Sequence, residues 1–159
     1  MFTTMKNIGY AETPIGLLSI VIEEEKVTSI TITEDAMKAE KPCCELLRIV
    51  TSEIESYFAG TQKEFSFPVT MNGTAFQKEV WEELCRIPYG ATATYGEIAR
   101  RINRPTAVRA VGMACNKNPL LIAVPCHRVV GRNGSLTGFA VGIERKRFLL
   151  NLEKGTYNK

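Results

Sequence analysis

Histidine is almost missing from this chain of 159 residues: there is one, His127, and likewise one tryptophan, Trp81. A structural zinc site draws on Cys and His in sets of four, so one imidazole leaves little to build with. Cysteine does not fill the gap. The five cysteines, Cys43, Cys44, Cys85, Cys115 and Cys126, are odd in number and fall at no framework spacing. Such a set argues for free thiols in a reducing compartment rather than a disulfide scaffold. The adjacent pair Cys43 and Cys44 is not spaced as a chelate, and no metal is expected. Long apolar runs are absent too. No run approaches the roughly 20 residues of a membrane span. The first residues, "MFTTMKNIGYAETP", lack the apolar centre of a signal peptide. The expectation is a globular protein of the cytoplasm, with no membrane partner, made of one domain or two small ones.

What is present is uneven. The net charge of +3 hides a division along the chain. From Tyr95 to Arg147 there are ten Lys or Arg against Glu97 and Glu144, a balance of +8, while the rest sums to −5. A basic segment joined to an acidic one is the footprint of a protein that meets a phosphate backbone with one face, although a solvated charged surface gives the same composition.

The elements can be read from periodicity. Between Ile8 and Thr33, "LLSIVI" (Leu17 to Ile22) and "VTSITI" (Val27 to Ile32) are β-branched runs joined by "EEEK", which reads as a hairpin or meander. Leu46, Leu47, Val50, Ile54, Tyr57 and Phe58 recur at helical spacing and predict an amphipathic helix over Cys43 to Phe58. The stretch Ala59 to Gly73 has no sustained period and carries Gly60, Pro68 and Gly73, so a boundary falls there. The chain is thus expected to be α+β. Residues 1–72 form an N-terminal domain with a small antiparallel sheet, a helix and a linker; residues 73–159 form a mainly helical C-terminal domain.

In the second part, Thr74 and Gln77 predict a capping box ahead of a helix with Phe76, Val80, Trp81 and Leu84 on one face, Trp81 being core. Thr94 and Glu97 predict another, opening a short helix through "YGEIARRI". After the "NRP" turn, Pro105 suits the first turn of a further helix, "TAVRAVGMACNKN". Two short helices across a tight turn are a helix-turn-helix candidate, and equally a common packing unit. On the second helix the small residues Ala107, Ala110, Gly112 and Ala114 surround one long cation, Arg109. This surface could approach a groove closely and insert one guanidinium, with weak sequence preference because base readers are few; the alternative is close helix packing.

The chemistry concentrates at "AVPCHRVVG", Ala123 to Gly131, where Cys126 stands between Pro125 and the sole histidine. A cysteine nucleophile needs a thiolate, and an imidazole and cations lower a thiol pKa and supply a proton path. A buried free cysteine beside a histidine can also be packing alone. If Val124 to Val129 is extended, as the residue before Pro125 prefers, the Cys126 and His127 side chains diverge and need not touch. Arg128 adds positive potential or a structural salt bridge.

The span Gly73 to Glu153, with "PCHRV" at Pro125 to Val129, "RAVG" at Arg109 to Gly112, "NP" at Asn118 and Pro119, and Glu153, resembles the O6-alkylguanine-DNA alkyltransferases, also called methylated-DNA–protein-cysteine methyltransferases. The resemblance covers half the chain; the N-terminal part shares only general style. It implies single-turnover transfer of a methyl or other alkyl group from O6-alkylguanine, or O4-alkylthymine, in duplex DNA to Cys126. It also implies no cofactor and no obligate protein partner, hence a monomer with access to chromosomal DNA. A thioether has no carbonyl for water to attack, so the thiol is not regenerated.

By the same resemblance His127 acts through a bridging water and is held by Glu153. Asn118 pins the turn before the active-site strand, and Tyr95 donates to the guanine ring. Arg109 fills the gap left by the extruded nucleotide, with Ala107, Ala110, Gly112, Tyr95, Thr94 and Arg128 also on the DNA side. Val129, Phe139, Ala140 and Val141 line the substrate pocket. Two departures stand out. "GFAVG", Gly138 to Gly142, replaces the family's usual "GYAGG", so Phe139 lacks a phenol and Val141 adds bulk at the pocket rim, which should hinder large alkyl groups. Two rivals remain: a cysteine hydrolase, which would need direct imidazole reach and oxyanion donors, and a non-catalytic alkyltransferase-like DNA-lesion-binding protein, against which the presence of Cys126 counts.

Overall fold

A computed structural model describes residues 6–34 and 44–155. Its contacts separate the chain into two compact units between Met71 and Asn72. In the first, β1 (Lys6–Thr13), β2 (Gly16–Glu23) and β3 (Lys26–Ile32) form an antiparallel meander in that order. Alternation on β2 buries Leu18, Ile20 and Ile22, and Ile20 pairs with Ile30 across the β2–β3 register. Strand β1 was not separable in the sequence because "KNIGYAET" is poor in β-branched residues; its pairing with β2 makes it a strand. The β2–β3 turn is two residues, Glu24 and Glu25, both at positive φ (52° and 62°), the twist that a tight hairpin demands.

Helix α1 (Glu45–Phe58) buries Leu47, Val50, Ile54 and Tyr57. It is described from its N-cap, Cys44, onward; Cys43, where the sequence pattern opened the helix, lies outside the described residues. A Cβ at Gly9 would fall 2.6 Å from a Leu47 methyl, so the bare glycine on β1 is what lets the helix lie this close. The segment after α1 is tied down. The buried Glu53 carboxylate accepts from Gln62 Nε2 (2.8 Å), from the Ser66 amide (2.7 Å) and from the Ser66 hydroxyl. The chain then adds to the sheet at Val27, whose amide donates to the Pro68 carbonyl and whose carbonyl accepts from the Thr70 amide.

In the second unit α2 (Ala75–Leu84) begins with the full capping box: Gln77 N donates to Thr74 Oγ1 and Thr74 N donates to Gln77 Oε1. Trp81 is core, and its indole donates to the Ala114 carbonyl at 2.8 Å. A two-residue strand β4 (Ala93–Thr94) leads into α3 (Tyr95–Arg101), a turn, and α4 (Val108–Asn116), which is the expected helix-turn-helix order. The last elements are β5 (Val129–Val130), parallel to β4, and α5 (Ile143–Lys154), closed by Gly155 in the left-handed region.

Three local expectations are corrected. Thr94 accepts from the Glu97 amide, but Glu97 supplies no reciprocal bond; its carboxylate faces Arg101 at 3.7 Å, so the box is half formed. Pro105 lies in the turn ahead of α4 and Ala107 is the N-cap, so neither is within the helix. Cys126–Arg128 is a 3-10 turn, not extended chain. The bonds Cys126 N to Val124 O (2.8 Å) and Arg128 N to Pro125 O (3.0 Å) close the backbone after the proline, and local hydrogen bonding overrides the extended preference.

Candidate active site

The 3-10 turn places Cys126 and His127 where β5 begins, beneath α5, and both are buried. Asn118, just past the end of α4, stitches the approach to the turn. Its Nδ2 donates to the Val124 carbonyl (2.8 Å) and to Cys126 Sγ (3.2 Å), and its Oδ1 accepts from the Leu120 amide (2.9 Å). One side chain therefore fixes the backbone before the thiol and the thiol itself.

Behind the turn, Glu153 on α5 lies 2.7 Å from His127 Nε2. The same carboxylate takes Arg128 Nε (2.7 Å) and Nη2 (3.0 Å), while Arg128 Nη1 donates to the Ile87 carbonyl (2.8 Å). The backbone approach to Glu153 is close: a Cβ at Gly90, which has φ of 82°, would stand 3.2 Å from the Glu153 carbonyl.

The electrostatics follow from this arrangement. Burial alone would raise the Glu153 carboxyl, but the His127 hydrogen bond and charge and the Arg128 pair outweigh it and hold it down to about 2. Burial lowers the His127 pKa, and Arg128 and Lys146 add to that, against the opposing pull of Glu153. Imidazole is thus neutral at pH 7. With Glu153 accepting, the proton resides on Nε2, and Nδ1 is a buried nitrogen with no hydrogen-bond partner among the described residues. Burial pushes the Cys126 thiol up to about 11 against the Asn118 bond and the Lys146 charge, so at rest it is protonated. A protonated thiol, a neutral imidazole and a fixed carboxylate form a set that can ionise sulfur when a proton acceptor is engaged.

Cys126, His127, Glu153, Asn118 and Arg128 are therefore brought together. Arg128 also sits in this cluster: it is buried, with its guanidinium on Glu153 and Ile87, the internal salt bridge that was one of its two readings. Tyr95, at the start of α3, donates its hydroxyl to the Thr137 carbonyl (3.0 Å). Thr94 spends its hydroxyl on the α3 cap. Gly112 faces the Tyr95 ring, where an added Cβ would make only ordinary contact, 4.0 Å from two ring carbons, so packing does not demand glycine there; Ala114 is buried. Arg109 is exposed on the outer side of α4, and Ala107 and Ala110 are half-buried beside it. Val129 is fully buried in β5, Phe139 and Val141 are half-buried in the loop before α5, and Ala140 is exposed.

One buried side chain beside the site was not singled out from the sequence. Lys146 is completely buried, its Nζ donating to the carbonyls of Thr137 (3.2 Å) and Gly138 (3.3 Å) and to Tyr95 Oη (3.4 Å), with the Phe139 ring 5.9 Å away. Burial lowers its pKa, and the Cys126 and Cys115 sulfurs oppose that shift. A signal existed: Lys146, Leu149, Leu150 and Glu153 are spaced three, four and seven apart, one face of α5. Its burial also reduces the basic surface. Of the ten cations between Tyr95 and Arg147, Arg128 and Lys146 are internal, and Arg101, Arg104 and Arg147 pair with Glu97, Glu79 and Glu144.

Residues 75–155 match the family model described as 6-O-methylguanine DNA methyltransferase, DNA binding domain. The chain is 47% identical over 147 residues to a methylated-DNA–protein-cysteine methyltransferase of Methanosarcina acetivorans, covering 89% of this chain and 94% of the relative. It is 42% identical over 158 residues to the constitutive methylated-DNA–protein-cysteine methyltransferase of Bacillus subtilis, with 94% and 96% covered. Among solved structures, the Mycobacterium tuberculosis O6-methylguanine methyltransferase superposes with a TM-score of 0.86 at 39% identity, covering 97% of this chain and 96% of that one. A structure of M. tuberculosis OGT in complex with DNA gives 0.84 at 41%, with 93% and 94% covered.

Proposed function

This chain belongs to the 6-O-methylguanine DNA methyltransferase family, and from that premise we propose that it repairs alkylated DNA by direct reversal, with Cys126 as the single-use acceptor. The observation that carries this reading is the pairing of a buried thiol held by Asn118 with a neutral histidine whose Nε2 is engaged by Glu153 and whose Nδ1 is free to accept. The thiol proton passes to Nδ1, through a water in the route the resemblance implies. Sulfur then attacks the alkyl carbon, the carbon–O6 bond breaks, and its electron pair returns to the guanine ring, which takes up a proton. Tyr95 supplies a hydrogen bond to that ring by turning its hydroxyl from Thr137, and Lys146 behind it strengthens the donor.

The remaining assignments rest on the same reading. The unit beginning at Asn72 is the DNA-binding and transfer domain, and the first unit is an α+β accessory domain. Duplex DNA with O6-alkylguanine, or O4-alkylthymine, is the partner, and Arg109 on α4 occupies the gap left by the extruded nucleotide. Val129, Phe139, Ala140 and Val141 line the alkyl pocket, and Val141 narrows it. The protein acts as a monomer without a cofactor in the cytoplasm, with access to chromosomal DNA; no helix of the described residues is long and apolar enough to cross a membrane. A non-catalytic lesion-binding role is not favoured, because Cys126 is present and seated in a complete proton-accepting set.

Incubation with a duplex containing O6-methylguanine, followed by intact-mass analysis, tests the proposal. One methyl per chain, mapped to Cys126 and absent from Cys126→Ala, is expected. Turnover beyond one equivalent, or a label on Cys85 or Cys115, would overturn it.

A further inference from the structure

Helix α4 carries two exposed large apolar side chains that nothing in the repair chemistry uses. Met113 is 66% exposed, the most exposed large hydrophobic among the described residues, and Val108 is 41% exposed. They bracket Arg109. Arg109, Met113 and Asn116 are spaced four and seven apart, so they share the outer face of α4, opposite the buried Val111, Ala114 and Cys115. No carboxylate lies on this helix. Arg100 at the end of α3, Arg109, Lys117 at the C-cap of α4 and Arg132 form no ion pair among the described residues. A bulky apolar pair set in uncompensated positive charge fits a partner that is anionic outside and apolar within, which describes the minor groove with its phosphate rims, sugar walls and stacked bases. Proteins that enter this groove combine arginine with apolar wedges, methionine among them, to unstack a base step.

We propose that Met113, with Val108, is an apolar wedge that α4 presses into the minor groove beside Arg109, opening the stack from which the target nucleotide leaves. The inference rests on the DNA-repair reading above. Division of labour follows from the chemistry of the two side chains. Arg109 contributes charge and fills space, so its contact displaces counterions. Met113 contributes only apolar contact and unstacking, so its contact displaces none. Met113 is a positioning residue, since it meets neither the alkyl group nor the thiol.

The test compares Met113→Ala, Met113→Leu and Arg109→Ala with the natural chain. Four quantities are measured: affinity for undamaged duplex at several salt concentrations, repair rate on duplex O6-methylguanine, reaction with free O6-methylguanine base, and state of association. Met113→Ala should lower duplex affinity and duplex repair roughly five- to tenfold. It should leave the free-base reaction and the salt slope unchanged, and Met113→Leu should restore most of the loss. Arg109→Ala should instead reduce the salt slope by about one. Duplex affinity and repair equal to the natural chain, or equal slowing of the free-base reaction, would overturn the proposal. So would loss of a self-associated form with duplex affinity intact, which would give the patch to a second copy of the chain. Failure of the natural chain to accept a methyl group would instead defeat the repair reading, while the affinity for undamaged duplex would still judge Met113.

Discussion

Glu153 holds His127 and Arg128 with one carboxylate, at 2.7 Å to each, although the two side chains leave consecutive residues of the 3-10 turn. The pairing decides which way a histidine at the active site faces and what charge it carries. Arg128 neutralises the carboxylate, so the histidine need not protonate to do so. His127 is left as a base.

Removing the carboxylate should therefore harm both the fold and the chemistry. Glu153→Gln leaves the Arg128 guanidinium, 9% exposed in its side chain, without a counter-charge. Breaking a buried pair from one side costs about 3–5 kcal/mol. Urea unfolding should show a loss of that order, and repair by the folded fraction should fall at least tenfold as the ring loses its orientation. A loss below about 1 kcal/mol would show that the pair is solvated in solution and does not anchor the turn.

The pH dependence has a definite sign. His127 is held below its ordinary 6.5 and Glu153 at about 2, below its ordinary 4.5. In both cases the unfolded chain binds protons first as pH falls. Stability present above pH 6.5 is therefore lost progressively below it, through the 4.5-to-2 window. Cys126 acts at the other end: its folded pKa of about 11 exceeds the ordinary 9.0, so stability declines as pH climbs past 9. For repair, the lowered His127 pKa moves the acid limb of the rate below the ordinary 6.5. The rate should reach half its plateau only at a pH below 6.5; a rate already halved at pH 6.5 would contradict a depressed His127.

The parts of this structure that could be read from sequence were those with short-range causes. The box at Thr74 and Gln77, the burial of Trp81 and the β2–β3 pairing each follow from neighbours within a few residues. Cys126 and His127 stood out by their chemistry, whereas Glu153 as the histidine's partner was legible only through the resemblance, because no local rule joins residues 26 apart. What escaped was tertiary. Arg128 stood between positive potential and a salt bridge until its three bonds to Glu153 and Ile87 appeared, and the extended reading of the chain after Pro125 gave way to a turn whose approach Asn118 holds. Lys146 was counted with the DNA-facing cations although its helical spacing with Glu153 pointed inward.

That buried lysine yields the last expectation. Thr137 O receives both Tyr95 Oη and Lys146 Nζ, and Gly138, at φ of 49°, turns its own carbonyl onto the same ammonium. One cation thus ties the loop carrying Phe139 and Val141 to the Tyr95 ring, and its charge lowers the cost of ionising Cys126. Lys146→Met keeps an unbranched side chain one heavy atom shorter and removes charge and donors. It should slow methyl transfer from duplex and from free base alike, because both need the thiolate. The rate of Cys126 modification by iodoacetamide, followed against pH, should shift to more alkaline values, and Lys146→Arg should recover part of the shift by restoring the charge. A merely structural lysine would leave that pH limb where it was, so an unmoved limb in a folded Lys146→Met protein would remove Lys146 from the chemistry and leave it only the loop.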